Sequence, residues 1–242
     1  MPVTTQYLDA LLFEFQRIKN LGYIPATRNG STAIGKTFED NLGKREDNFP
    51  GPDFGDIEIK TQRELSNSYI TLFTKAPDYP RKANSYLREN YGYPLPEYNN
   101  MNILHTSLFG NNLNNMNLGV IVDRIQEKVF IVNGVEIIAY YTFVKLYEKF
   151  HLKLRNLAVV SALAQNTNGL EYFHYTTFNF YYNPSFERFL TLLENGQIMV
   201  DIRIGVYHNP EKANYGKTHD HGTGFRIKAV NLLSLYENYI SI

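Results

Sequence analysis

The chain has 242 residues, 43% of them hydrophobic, the make-up of an ordinary soluble globule large enough for one big domain or two lobes sharing a core. Lys plus Arg number 24 and Asp plus Glu 24, a formal charge of +0, which excludes coating DNA by bulk positive charge and leaves only a local basic footprint. Cysteine is absent, which excludes disulfides and thiolate metal sites; no apolar run spans a bilayer and the Met1-Pro2-Val3 start lacks the basic region of a signal peptide, so the expectation is a cytoplasmic protein with no membrane partner.

Leu8, Leu11, Leu12, Phe15 and Ile18 recur at helical spacing and predict an amphipathic packing helix over 5–20, stopped at Gly22. Gly30 to Thr37 then matches the phosphate-binding loop G-x-x-x-x-G-K-[ST] letter for letter. That loop works only after a buried apolar strand. Here residues 22–29 form a turn-rich entry containing Pro25, and no apolar strand ending in Asp follows, so nucleotide binding is rejected. The stretch reads as a loop into a short helix around 34–42 with Phe38 and Leu42 inward. Glu39 and Asp40 lie at its polar edge, where Glu39 is either an accessory carboxylate or a solvated helix charge.

Pro52-Asp53-Phe54-Gly55-Asp56-Ile57-Glu58-Ile59-Lys60-Thr61 is the central stretch. Ile57 and Ile59 alternate with Glu58 and Lys60, the period of a strand with one buried face, so Glu58 and Lys60 project together. A turn after Pro52 can bring Asp53 beside them. Two carboxylates and an amine at one spot suit metal-assisted phosphodiester hydrolysis: Asp53 and Glu58 hold Mg²⁺, and Lys60 orients water or stabilises charge on phosphorus. Taken bare, Glu-x-Lys on a strand is more often a solvated ion pair.

Tyr69 to Thr74 reads as a second strand, the antiparallel neighbour of 56–61. Lys75 leads from it into a Pro-rich turn, and Arg81, Lys82 and Arg88 sit on or near a helix around 81–91, as a phosphate clamp or as ordinary helix charges. Residues 96–117 are rich in asparagine and read mainly as loop around a strand from Ile103 to Leu108. Strands follow at 118–122, 129–132 and 135–141, with Asn133-Gly134 as a hairpin turn. Then come a helix around 143–150, a buried strand at 157–164, an alternating strand at 173–182 and a helix from Phe186 to Glu194. Ile198 to Tyr207 is a strand placing Asp201 and Arg203 on one face. The loop beyond it carries His208, Lys212, Lys217, His219, Asp220 and His221, and a strand at 225–228 carries Arg226. His219 and His221 have metal-ligand spacing, but hydrogen bonding to base edges is the better use of His and Arg here.

Asp53 with Glu58-Ile59-Lys60 has the form of the PD-(D/E)xK nuclease motif. Together with Phe38-Glu39-Asp40, Thr71 to Lys75, Asp201 to Ile204 and Lys217 to Gly222, it resembles the MvaI/BcnI family of type II restriction endonucleases, from about Gly35 to Arg226. Thr74 and the His-Asp-His triplet look closer to the MvaI branch. The resemblance implies an α/β (α+β) fold with a mixed central sheet flanked by helices, and two lobes around a DNA cleft. Residues 1–110 would be mainly the catalytic lobe and 111–242 mainly the recognition lobe, with shared segments. It implies catalysis by Asp53, Glu58 and Lys60 with Glu39 as accessory carboxylate, and Mg²⁺ on Asp53 and Glu58. DNA contacts would come from Thr74, Lys75, Arg81, Asp201, Arg203, His219, Asp220, His221 and Arg226. The expected activity is cleavage of double-stranded DNA at a CC-N-GG-type site by a monomer, with a cognate methyltransferase encoded nearby and no obligatory protein partner. The competing readings are a strand-nicking repair endonuclease of the MutH type and a noncatalytic DNA-binding module.

Overall fold

The computed structural model describes residues 6–43, 51–64, 68–220 and 222–242. The helices are α1 (Gln6–Lys19), α2 (Ala33–Asn41), α3 (Ala83–Tyr91), α4 (Phe143–Leu154), α5 (Phe186–Glu194) and α6 (Leu232–Leu235). The strands are β1 (Ile24–Pro25), β2 (Glu58–Arg63), β3 (Tyr69–Thr74), β4 (Tyr93–Pro94), β5 (Asn102–Leu108), β6 (Leu118–Asp123), β7 (Lys128–Asn133) and β8 (Glu136–Thr142). They continue with β9 (Asn156–Thr167), β10 (Leu170–Pro184), β11 (Ile198–Val206), β12 (Thr218–Asp220), β13 (Gly224–Lys228) and β14 (Tyr236–Ser241). Among the described residues no helix is long and apolar enough to cross a membrane.

The segments Met1–Ile70, His151–Ser185 and Tyr236–Ile242 form one compact unit. Its sheet runs β1-β10-β9-β2, with β14 also on β10. It is mixed, because β2 pairs in parallel with β9 while β10 pairs antiparallel with β9, β1 and β14. Leu8, Leu11, Phe15 and Ile18 of α1 and Ala33, Ile34 and Phe38 of α2 are buried with Ile57, Ile59, Phe173, Tyr175 and Phe178 in one core. Each of the Leu, Ile and Phe side chains contributes about 1.5–3 kcal/mol on burial. Moving β2 off this core would expose Ile57 and Ile59, so the backbone that carries Glu58 and Lys60 is anchored from behind. The helix α1 ends at Lys19, and the chain turns away at Gly22, whose φ is +70°.

The other unit comprises Thr71–Phe150 and Phe186–Leu235. Its larger sheet runs β3-β13-β11-β5-β4 with β12 on β11, and a separate meander runs β6-β7-β8. Phe73, Phe189 and Tyr141 pack around Phe225, with ring centroids 5.0, 5.5 and 5.2 Å from it. The hairpin between β7 and β8 turns at Gly134, with φ +59°.

One expectation changes. Residues 69–74 do form a strand, but β3 belongs to the sheet with β13, and the neighbour of β2 is β9 in parallel register from Glu58↔Leu157 to Arg63↔Ala162. The two units interleave along the chain. The β2–β9 pairing draws residues after 150 back to the first unit, while 71–110 fold with the second.

Candidate active site

Phe54 and Ile57 exchange backbone N–H···O bonds of 2.9 Å in each direction across the two-residue turn Gly55-Asp56. Gly55 supplies the positive φ, +59°, that such a turn requires. Asn156 on β9 donates to Asp56 Oδ2 at 2.9 Å and fastens the turn to the sheet. One step out from the Phe54–Ile57 bridge, Asp53 comes to face Glu58. Its Oδ2 accepts the Ile59 N–H at 3.0 Å, which fixes the carboxylate beside the strand.

Glu58 is only 3% exposed. An ionised carboxylate at that depth costs several kcal/mol unless it is paired. Two ammonium groups do the pairing. Lys60 Nζ donates to Glu58 Oε1 at 2.5 Å and lies 4.0 Å from Asp53 Oδ2. Lys153, at the end of α4, donates from the other side to Glu58 Oε2 at 3.0 Å and to the Gly51 carbonyl at 2.5 Å. Buried Tyr236 lies in the field of the same carboxylate. Burial first, and the Glu58 charge second, hold its hydroxyl proton well above the ordinary phenol range. Lys153 and Tyr236 were not among the residues picked out by pattern. Neither sits in a motif, and both reach Glu58 only through folding of distant segments.

A partly exposed carboxylate beside a buried one, with an adjacent ammonium, is a donor set for a hard cation and a phosphate. The comparisons bear on what it serves. The family model of the MvaI/BcnI restriction endonuclease family matches residues 12–236. The chain belongs to the MvaI/BcnI restriction endonuclease family. It is therefore a type II restriction endonuclease, a site-specific nuclease that binds DNA. Two solved structures of restriction endonuclease MvaI are each 38% identical to it. A complex with cognate DNA substrate covers 98% of this chain and 99% of its own with a TM-score of 0.88. A structure in the absence of DNA covers 100% of both chains with a TM-score of 0.62. No curated protein matches.

The remaining residues singled out in this MvaI/BcnI-family chain fall as follows. Glu39 is half-buried on α2, whose Gly35 abuts β2 so closely that a Cβ there would stand 3.2 Å from Thr61 Oγ1. Glu39 also acts on the neighbouring Tyr175 hydroxyl, whose proton is held first by burial and then, against Arg63, by the Glu39 charge. The Gly30–Thr37 stretch is a turn at Gly30–Thr32 followed by the first residues of α2. Thr37 is buried and accepts the Thr27 N–H at 3.0 Å, and Lys36 pairs with Asp40.

In the second unit, Asp201 is 2% exposed and gathers the charged face of β11. Its Oδ2 accepts Arg226 Nη1 at 2.6 Å and Arg203 Nε at 3.0 Å, and its Oδ1 accepts Ser107 Oγ at 3.2 Å. The register explains this: Asp201 pairs with Gly224 and Ser107, and Arg226 lies two residues along from Gly224 on the same face. Ser107 and His105, opposite Arg203, join this face and carried no signal in the sequence. The His219 ring stacks on Tyr207 at 4.3 Å. Asp220 accepts the Gly222 and Thr223 N–H groups and, at 2.5 Å, Asn84 Nδ2, so here it shapes the loop. Lys75 pairs with Asp78 at 2.5 Å over the Tyr141 ring. Thr74 and Arg81 are exposed. His221 lies outside the described residues.

Proposed function

We propose that this restriction endonuclease hydrolyses double-stranded DNA with Mg²⁺ at a CC-N-GG-type site, CCWGG being the leading form, as a monomer that nicks one strand and then the other. The unit containing β2 is the catalytic one and the unit containing β11 reads the bases. The observation that carries the reading is the Asp53–Glu58–Lys60 constellation at the start of β2. Asp53 and Glu58 would hold Mg²⁺, an ion usually bound by one or two carboxylates together with substrate phosphates. When bound, it supplies Lewis-acid polarisation of the phosphoryl oxygen and lowers the pKa of a water.

The chain's own groups do the rest. Ile59 N–H orients the Asp53 carboxylate. The Lys60 ammonium, between the two carboxylates, answers the negative charge that grows on the phosphoryl oxygens as water attacks and one ester oxygen leaves. Arg203 and Arg226, aligned by Asp201, present guanidinium edges suited to N7 and O6 of guanine. DNA is the partner, no protein partner is required, and a methyltransferase of the same specificity protects the host.

The test is digestion of a supercoiled plasmid carrying one CCWGG site, with Mg²⁺ and without nucleotide, followed by end sequencing. Open-circular DNA should accumulate before linear product at low enzyme concentration. Linear product without a nicked intermediate, or an active species that sediments as a dimer, would overturn the monomer mechanism. Ends that map elsewhere would overturn the site.

A further inference from the structure

We infer that Lys153 is a positioning residue of the active site, acting through Glu58 and through the turn that carries Asp53. The inference rests on the reading of Asp53 and Glu58 as the cation-holding pair. Lys153 makes two contacts with different parts of that pair. Its Nζ reaches Glu58 Oε2 at 3.0 Å, the oxygen that Lys60 leaves open, and the Gly51 carbonyl at 2.5 Å, two residues before Asp53. One ammonium thus joins the segment entering the turn to the strand leaving it. Its side chain is 15% exposed, against 25% for Lys60, so it is the more enclosed of the two. An ammonium has three donors and no acceptor, and two of the three are used here on groups that flank the site.

The two contacts have opposite effects on a cation. The positive charge of Lys153 against Glu58 lowers the pull of the carboxylates on a metal ion. The brace from Gly51 to Glu58 keeps both carboxylates where a transition state can use them. Removing the charge while keeping the length, as in Lys153→Met, therefore separates affinity from rate. A residue that only supported the fold would lower both.

The experiment measures Mn²⁺ binding to the DNA-free protein by electron paramagnetic resonance, and single-turnover cutting at saturating Mg²⁺. Lys153→Met should bind Mn²⁺ several-fold more tightly than the unaltered protein and cut at least tenfold more slowly. Lys153→Arg, which keeps the charge and its donors, should cut faster than the methionine variant. Unchanged cutting by Lys153→Met would overturn the inference, and so would slow cutting with unchanged or weaker Mn²⁺ binding. If Lys153→Met does not fold, Lys153→Leu carries the test with the same two outcomes, since it likewise removes the charge and both donations. Failure of the underlying reading looks different. An unaltered protein that takes up no Mn²⁺, or a Glu58→Ala protein that still cuts, would overturn both at once.

Discussion

Arg226 donates to Asp201 across 2.6 Å, and that carboxylate is almost wholly buried. A buried carboxylate facing two guanidinium groups fixes where their remaining donors point. Asp201→Ala should leave Arg203 and Arg226 charged but misaligned. Discrimination between cognate and altered sites should drop by about 1–3 kcal/mol per misread guanine. The salt dependence of nonspecific binding should stay nearly the same, because the substitution removes no cationic side chain. Competition gel shifts with cognate and single-substitution duplexes measure this.

Lys60→Ala removes an ammonium held 2.5 Å from Glu58 Oε1. On the proposed mechanism its charge matters most when charge builds in the transition state, so cutting should fall by about 10²-fold or more while specific binding changes little. Binding measured in Ca²⁺ beside cutting in Mg²⁺ separates the two. Equal losses in both would assign Lys60 to ground-state binding instead.

Gly55→Ala should destabilise the protein. Gly55 has φ +59°, and a Cβ there would lie 2.3 Å from the Tyr7 ring. The left-handed backbone alone costs an alanine about 1–2 kcal/mol. The clash adds to this, and Tyr7→Ala in the same chain should recover that second part. Thermal unfolding of the single and double variants gives both contributions.

Asp78 is a source of acid sensitivity. Burial alone would raise its pKa, but the Lys75 ammonium and the Thr142 N–H outweigh it and hold the carboxyl below the ordinary value. The unfolded chain, with its aspartate near ~3.9, takes up the proton first as pH falls. The stabilisation is therefore full above about pH 4 and is lost as pH drops through the lower folded value. Asp78→Asn should be less stable by about 1–3 kcal/mol near neutral pH. That difference should close in strong acid, as urea unfolding across the pH range would show.

How far the sequence was legible depended on how local each signal was. The alternation of Ile57, Glu58, Ile59 and Lys60 is written into adjacent residues, and the structure puts the apolar pair in the core and the charged pair together on the other side. The helix from Phe186 to Glu194 was equally readable, because its stripe and its stop at Gly196 are contiguous. Strand partners are a different matter. Tyr69 to Thr74 alternates like a strand but does not state its neighbour, and proximity in sequence pointed wrongly to β2. Lys153 was hidden for the same reason. On α4 it is one lysine among several charges, and only the return of the chain beside β2 brings it to Glu58.

The parallel pairing of β2 with β9, and the antiparallel pairing of β10 with β14, also set an order of events. During synthesis Asp53, Glu58 and Lys60 are made early, but the strand that β2 leans on begins at Asn156, and the last strand of that sheet begins at Tyr236. A nascent or C-terminally clipped chain thus carries the whole motif without the sheet that aligns it. The residues proposed to cut DNA are thus made well before the strands that complete their sheet.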